Sequence, residues 1–208
     1  MKVLIGTTNP SKINRFKSFL EGCNIEFLTL SDLKITSEPD EQGRTPEENA
    51  IIKATYYGKF FDIVITNDSG LYFDCLSLEN PRQPGLNIRT PNGRSRMNDE
   101  ESIEYYSALI HSLGGRVSAF YLDGFAVFNK GKVYSFMEDI RNVSSFYMID
   151  TPSESRHDGW PLDSLSVRKN SLDSFTESNK NTNTEENIIL GKYRENLIGF
   201  LKSSIGII

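Results

Sequence analysis

Residues 63–74 read Ile63-Val64-Ile65-Thr66-Asn67-Asp68-Ser69-Gly70-Leu71-Tyr72-Phe73-Asp74 and combine an apolar run with a polar cluster. The first of these residues are apolar and β-branched, which is typical of a buried strand. The cluster 67–70 consists of turn-forming residues and predicts that the strand ends there. Because ligands of open α/β sheets bind where strands end, Asp68 is the first candidate for a catalytic or metal-binding carboxylate. A tight turn without function is the alternative.

Length and composition indicate how many domains the chain forms and which classes of partner its charge favours. The 208 residues suit one domain spanning 1–208, and the net charge of −5 gives no global attraction to nucleic acid or to an anionic membrane. The two cysteines and two histidines show no metal-binding spacing. Cys75 lies in an apolar, strand-like run and is predicted to be a buried core thiol. We expect reduced thiols, a cytoplasmic location and no membrane span.

The N-terminal residues predict an anion site. Lys2 to Ile5 form a predicted strand, a polar loop follows, and a helix is predicted from Ser11 to Leu20. The N–H groups and dipole of a helix N-terminus favour a phosphate, and Thr7, Asn9 and Lys12 would add donors. The alternative is an ordinary strand-to-helix turn with a capping serine.

The second helix follows a long polar connection, residues 31–46, which contains Glu41. Irregular connections of this length are often functional. Thr45-Pro46-Glu47-Glu48 predicts the helix N-terminus, with a threonine cap, proline at the first position and a capping-box acid. Lys53 is expected either on the face turned toward the strand ends or in solvent.

The rest of the chain predicts the remaining elements. A helix starts near Asp99 and stops at Gly114-Gly115, and a strand spans 116–128. Asn129-Lys130-Gly131-Lys132 predicts a hairpin turn, and a further strand is predicted in 139–149. We expect surface loops over 150–187 and a last helix over 185–203. The order of elements implies an α/β fold with a mixed sheet and a lobe.

Three motifs occur in order: Thr7-x-Asn9-x-x-Lys12, then Glu41-x-Gly43-x-Thr45-x-x-Glu48-Asn49-Ala50-x-x-Lys53-Ala54, then Asp68-Ser69-Gly70-Leu71. With this spacing, roughly residues 1–128 resemble the inosine triphosphate pyrophosphatase family. The resemblance implies a mixed central β-sheet flanked by helices, with a smaller lobe and a nucleotide cleft between them. It also implies Mg²⁺-dependent hydrolysis of inosine- or xanthosine-type triphosphates to monophosphate and pyrophosphate, and a homodimer.

The resemblance also assigns roles. Glu41 would bind Mg²⁺, Asp68 would orient water as the base and contact the metal, and Lys53 would neutralise phosphate charge. Ser69 would contact the substrate. The residues that would hold the triphosphate are Thr7, Thr8, Asn9 and Lys12.

The C-terminal third departs from this family where the base would bind. Asp158-Gly159-Trp160-Pro161-Leu162-Asp163 replaces Phe-Gly-Tyr/Trp-Asp-Pro, and Lys192-Tyr193-Arg194 replaces Ser-His-Arg. The candidate base-binding residues are therefore Trp160, Asp163, Tyr193 and Arg194. A structural tryptophan and a solvated arginine are the alternatives. We predict a relaxed or altered base preference.

Two other functions stay open. A Maf-like nucleotide pyrophosphatase is disfavoured by the motif at Thr7 to Lys12, since the N-terminal loop of that family is rich in Ser and Arg. A nucleotide-binding protein with little or no turnover would explain the altered base residues. It would not need Glu41, Lys53 and Asp68, because binding alone requires no base.

Overall fold

A computed structural model of the chain describes residues 1–157, 159–176 and 184–207. The chain divides into two compact units. Unit 1 contains Met1–Ser69, Leu122–Asp139 and Leu190–Ile208, and unit 2 contains Gly70–Tyr121 and Ile140–Ile189. The single domain expected from the length stays a prediction.

The described residues form strands and helices in alternation through the first half of the chain. The strands are β1 (Lys2–Ile5), β2 (Glu26–Thr29), β3 (Ile63–Phe73), β4 (Arg116–Asn129), β5 (Lys132–Met137), β6 (Phe146–Ile149) and β7 (Ser166–Val167). The helices are α1 (Pro10–Phe19), α2 (Pro46–Tyr57), α3 (Asp99–Ser112), α4 (Arg141–Ser144) and α5 (Thr184–Ile205). Two 3₁₀ turns span Pro91–Gly93 and Pro161–Leu165.

Unit 1 is built on a mixed sheet in the order β2-β1-β3-β4-β5. β1 pairs in parallel with β2 and β3, and β4 pairs antiparallel with β5. The predicted hairpin is confirmed, because Asn129 pairs with Lys132, and Lys130 and Gly131 both have positive φ, at 46° and 90°. The mixed α/β class predicted from the sequence is therefore confirmed.

The two faces of this sheet pack against different helices, and odd- and even-numbered strand residues lie on opposite faces. Odd-numbered residues such as Ile63, Ile65 and Phe125 pack with Phe16 of α1 and Leu197 of α5. On the other face, two clusters gather the even-numbered strand residues with α2: Leu4 and Val64 with Tyr57, and Ala126 with Ala50 and Ala54. Side chains of a strand alternate between faces, so the number of a β3 residue predicts which helix it meets.

Unit 2 joins β4, β6 and β7 by antiparallel pairing. Its core includes Ile103 and Tyr106 of α3, Met148 of β6, and Leu165.

The loops expected over 150–187 are wrong for 161–167, which form a buried 3₁₀ turn and β7. Polar residues there tolerate burial because Ser164 and Ser166 donate to the carbonyl oxygens of Pro161 and Leu162. Of the strand expected over 139–149, only Phe146–Ile149 form one, because α4 occupies Arg141–Ser144.

The predicted end of the strand before Asp68 is wrong. β3 continues in extended conformation through Asn67, Asp68, Ser69 and Gly70 to Phe73. The polar side chains bind tertiary partners, described below, so the backbone has no need to turn back toward solvent. β1 does end here, at Ile5, which pairs with Ile65. Asp68 therefore lies beyond the carboxyl end of the neighbouring parallel strand, where a ligand site was expected.

The cysteines are both free, as expected, but Cys75 is exposed and not a core residue. β3 ends at Phe73, so Cys75 falls in the turn that follows instead of in the strand. Among the residues that the structure describes, no helix is long and apolar enough to cross a membrane.

Candidate active site

Lys53 brings together Glu41 and Asp68, the two residues predicted to act on water and metal. α2 begins where the sequence predicts, since Thr45 Oγ1 accepts from the Glu48 N–H at 3.1 Å. Lys53 Nζ lies 2.7 Å from Glu41 Oε2 and 3.0 Å from Asp68 Oδ1. The side chains are 15%, 34% and 13% exposed, for Lys53, Glu41 and Asp68 respectively. One ammonium thus joins a carboxylate of the long connection to a carboxylate of β3.

The charge of Lys53 is secured by this geometry. Burial alone would lower the pKa of Lys53, but Asp68 and Glu41 outweigh burial and raise its pKa above the ordinary value. Lys53 therefore stays an ammonium at neutral pH, and the two carboxylates are held around a positive charge.

Asn49 is a site residue to which the sequence gave no role. Its Nδ2 donates to Asp68 Oδ2 at 3.0 Å, and its Oδ1 accepts from the Gly43 N–H at 2.8 Å. A Cβ on Gly43 would stand 2.5 Å from Asn49 Oδ1, so the backbone approach requires glycine. Asn49 is 4% exposed. A buried amide on the apolar side of a predicted helix is the signal that could have identified it, because buried polar groups are normally bonded.

The N-terminus of α1 supplies donors, although fewer than predicted. Asn9, and not a serine, caps the helix, and its Oδ1 accepts from the N–H groups of Ser11 and Lys12 at 2.9 and 3.4 Å. These two N–H groups are therefore already bonded. Thr7 Oγ1 accepts from the Asn9 N–H at 3.2 Å, and Thr8 is exposed. Among the described residues, neither threonine hydroxyl donates a hydrogen bond and Asn9 Nδ2 has no acceptor, so these donors can serve a ligand.

Lys12 is a half-buried cation in the first turn of α1. Among the described residues, its ammonium makes no hydrogen bond or ion pair. Burial lowers the pKa of Lys12 to about 8, against the attraction of Asp68 and Asp123, while Lys53 and Arg15 lower it further. A lysine with no bonded partner beside a capped helix N-terminus is suited to an anionic ligand.

Ser69 faces the opposite side of the sheet from Asp68. Asp68 contacts Asn49 and Lys53 of α2, whereas Ser69 Oγ donates to Asp123 Oδ1 on β4. Asp123 Oδ2 in turn receives Arg15 Nη1 of α1 at 3.1 Å. The predicted site residues on β3 are thus divided between two faces.

Asp123 and Arg15 were missed by sequence reasoning. Asp123 is the only carboxylate in the strongly strand-like run Arg116–Phe128. A charge within a buried strand normally needs a partner, and that expectation was the available signal. Arg15 lies one turn after Lys12 in α1, but nothing in the local sequence indicates that it pairs with a strand 108 residues away.

The two candidate base residues of α5 have different surroundings. Tyr193 is half-buried, its ring centroid lies 5.9 Å from that of Phe136, and burial raises its pKa. Arg194 is exposed, donates to Ser18 Oγ at 3.3 Å and lies over the Phe19 ring. In this structure Arg194 binds α1 and does not join the group around Lys53.

The other two candidate base residues lie in unit 2. Trp160 is half-buried just before the 3₁₀ turn at Pro161, and its backbone N–H donates to the His157 carbonyl oxygen at 3.0 Å. Asp163 lies 2.9 Å from His157 Nδ1. Burial raises the pKa of Asp163, while His157 opposes that rise. Asp158 lies outside the described residues.

The two carboxylates around Lys53 fit a hard divalent cation. No cluster of three or more His, Cys, Asp or Glu side chains occurs in the described part of the chain. Glu41 and Asp68 nevertheless each place a carboxylate oxygen within 3.0 Å of the Lys53 ammonium. Mg²⁺ is commonly held by one or two carboxylates, with water and substrate phosphates completing its ligands. Glu41 and Asp68 are the residues that would hold such an ion, with water and phosphate oxygens as its other ligands.

Comparison with known proteins places these residues in a family context. Residues 3–141 match the model of the Ham1 family. A dITP/XTP pyrophosphatase of Thermoanaerobacter pseudethanolicus is 40% identical over 87 residues, which cover 41% of this chain and 42% of the relative. The dITP/XTP pyrophosphatase of Bacillus subtilis is 36% identical over 104 residues, 50% of each chain. The chain thus matches about half or less of the length of these relatives.

Solved structures share the fold over nearly the whole chain. A Ham1 protein of Coxiella burnetii has a TM-score of 0.71 at 19% identity and covers 98% of this chain and 99% of its own. The Staphylococcus aureus Ham1 protein has a TM-score of 0.66 at 22% identity, with coverage of 96% and 99%. At these identities the likeness supports the fold alone.

Proposed function

Because this chain belongs to the Ham1 family, we propose that it hydrolyses a nucleoside triphosphate to the monophosphate and pyrophosphate. The observation that carries the proposal is the group in which Lys53 joins Glu41 and Asp68, while Asn49 fixes the second oxygen of Asp68. Hydrolysis at a phosphate depends mostly on positioning and charge neutralisation, and this group supplies both. The names of the relatives, dITP/XTP pyrophosphatase, agree with the reaction.

The polyphosphate would bind at the N-terminus of α1. Lys12 offers an ammonium with no bonded partner among the described residues, and Thr7, Thr8 and Asn9 offer side-chain donors. Lys12 would neutralise phosphate charge, and Thr7, Thr8 and Asn9 would orient the phosphates by hydrogen bonds. Lys53, already bound to two carboxylates, retains one N–H for a phosphate oxygen.

Asp68 is the proposed base. Asn49 holds its Oδ2, so the carboxylate has one orientation and accepts a proton from water in that orientation. Glu41 and Asp68 would hold Mg²⁺, which supplies Lewis acidity and a more acidic bound water when present. Lys53 keeps the two carboxylates together.

The base preference is proposed to differ from a strict inosine or xanthosine selectivity. Stacking on Trp160 tolerates any base, whereas a site that hydrogen-bonds one base edge rejects analogues by roughly 10⁴–10⁵-fold. Asp163 is bound to His157, and Arg194 is bound to Ser18, so neither is held ready for a base edge in this structure.

The decisive experiment measures pyrophosphate release with Mg²⁺ from inosine, xanthosine, adenosine, guanosine and pyrimidine triphosphates. We expect turnover that chelator abolishes and that Asp68→Asn nearly abolishes. Asp62→Asn makes the same chemical change at an exposed aspartate of unit 1 and should leave the rate unchanged. Nucleotide binding without pyrophosphate release would favour the non-enzymatic alternative, and several hundred-fold preference for inosine or xanthosine would refute the altered base preference.

We also propose that the protein is a cytoplasmic homodimer. The resemblance to the family motivates this assembly. Sedimentation equilibrium of the full chain tests it, since a single species of 23.6 kDa would refute the dimer.

A further inference from the structure

Ser69 and Asp123 define a hydrogen bond whose direction is fixed. Ser69 Oγ lies within hydrogen-bond distance of Asp123 Oδ1, and Arg15 Nη1 contacts the other oxygen, Oδ2, at 3.1 Å. Asn67 Nδ2 also approaches Ser69 Oγ at 3.3 Å. Ser69 therefore has a carboxylate on one side and an amide donor on another.

The charge of Asp123 decides which atom donates. Burial alone would raise the pKa of Asp123, but Arg15, the Ser69 hydroxyl and Lys12 together lower it below the ordinary value. Asp123 is then ionised at neutral pH and has no proton to give. A serine carries a single hydroxyl proton, so that proton must lie on the bond to Asp123.

The orientation of Asn67 agrees with this assignment. Its Nδ2 donates to the Asp68 carbonyl oxygen at 3.2 Å as well as to Ser69. Reversing the amide would turn its oxygen toward that carbonyl oxygen, which is unfavourable. Ser69 Oγ consequently accepts from Asn67, donates to Asp123 and has one acceptor position left.

We propose that Asp123, held by Arg15, is a positioning residue that makes Ser69 a hydrogen-bond acceptor for an O–H or N–H group of the nucleoside. The inference rests on the proposed nucleotide site and refines the role of Ser69 within it. Ser69 is half-buried, so part of its side chain is still accessible to a ligand. Because its only proton is already bound, Ser69 does not donate to a phosphate oxygen.

The ligand group that donates to Ser69 Oγ is either a sugar hydroxyl or a base N–H. Nucleotide analogues that lack one of these groups distinguish the two. Binding is measured by calorimetry with inosine 5′-monophosphate, its 2′-deoxy and 3′-deoxy forms, and purine riboside 5′-monophosphate, which lacks the base N–H. Monophosphates are the proposed product and are not consumed. We expect one analogue to bind about 5- to 100-fold more weakly than the parent, because an acceptor is left unpaired.

Two substitutions test the roles of Ser69 and Asp123. Ser69→Ala removes the acceptor, so all four ligands should bind with similar Kd. Asp123→Asn keeps the shape, but Arg15 retains the amide oxygen and the amide N–H then faces Ser69. The freed serine proton now points outward, so the preference for the donor-bearing ligand should fall to about one or reverse. A residue with a merely structural role would weaken all four ligands equally.

Ser203→Ala and Asp62→Asn are the matched controls, since both residues are exposed in unit 1. Both should keep the wild-type ratios. Equal binding of all four ligands by the wild type, no binding of any of them, or unchanged ratios in Ser69→Ala would overturn the inference. Failure of the proposed function is seen separately, as absence of pyrophosphate release from triphosphates.

Discussion

Replacing Lys53 by methionine removes the one cation that two carboxylates share. Methionine keeps the length and apolar stem of the side chain but leaves Glu41 Oε2 and Asp68 Oδ1 facing each other without the ammonium, which lies 2.7 and 3.0 Å from them. We expect the folded state to lose stability, because carboxylates that are only 34% and 13% exposed lose the ammonium that both of them contact.

The size of the loss follows from the burial of the group. Removing one partner of a fully buried pair typically costs about 3–5 kcal/mol. Exposed pairs contribute at most about 1 kcal/mol. Lys53 is 15% exposed, which places its group between these limits. A loss of about 2 kcal/mol lowers Tm by about 4–8 °C in a chain of this length.

The assay is thermal unfolding at low ionic strength with chelator, followed by titration with Mg²⁺. Lys192→Met is the control, since Lys192 is an exposed residue of α5 in unit 1. Mg²⁺ should raise the Tm of Lys53→Met more than that of the wild type, because a divalent cation can take over the neutralisation of Glu41 and Asp68.

The pH dependence gives a second check on the same substitution. The pKa of Lys53 is raised in the folded state, so its contribution is complete below the unfolded pKa and is lost as pH rises through the folded one. The Tm difference between wild type and Lys53→Met should be constant from pH 7 to 9 and shrink only above about pH 10. A Tm equal to that of Lys192→Met, or no added effect of Mg²⁺, would refute the reasoning.

Four further predictions concern turnover. Asp68→Asn should lower the rate by about 10²–10⁴-fold in a folded protein, and near-normal turnover would reject Asp68 as the base. Glu41→Gln should raise the Mg²⁺ concentration needed for half-maximal rate, whereas an unchanged requirement would remove Glu41 from the metal site. Because burial lowers the pKa of Lys12 to about 8, KM for the triphosphate should rise from pH 7 to 9, and Lys12→Arg should flatten that rise; a flat wild-type profile contradicts the phosphate role. Asn49→Ala should lower kcat by about 10-fold or more, since a hydrogen bond to a charged group is lost; an unchanged kcat would show that the contact does not position Asp68.

Local sequence signals predicted the elements whose ends depend on their own residues. Thr45-Pro46 predicted the start of α2, and Gly114-Gly115 predicted the end of α3, where both glycines have positive φ, at 105° and 83°. The hairpin at Asn129–Lys132 was predicted for the same reason. In each case the cap or turn is formed by residues that are close in the chain. The local sequence is therefore enough to predict it.

The predictions that failed depend on partners distant in sequence. Asn67-Asp68-Ser69-Gly70 has the composition of a turn, yet Asp68 is bound by α2 and Ser69 by Asp123, which lies 54 residues away. Local propensity is a weak guide when tertiary contacts satisfy the polar side chains. The same holds for Arg15, whose partner on β4 could not be identified from α1 alone.

Because β3 continues through residues 67–70, the site residues that it carries lie on opposite faces of the sheet. In a turn, Asp68 and Ser69 could converge on one side, but in a strand they face opposite helices. Asp68, with Lys53 and Glu41, lies on the α2 face that would perform hydrolysis. Ser69, with Asp123 and Arg15, lies on the α1 face, where it can only accept a hydrogen bond. Because the backbone of β3 separates the two sets, residues that select the nucleoside can change while the hydrolytic group keeps its geometry. The residues that depart from the family, Trp160, Asp163, Tyr193 and Arg194, belong to neither set, so their change leaves the contacts among Lys53, Glu41 and Asp68 intact.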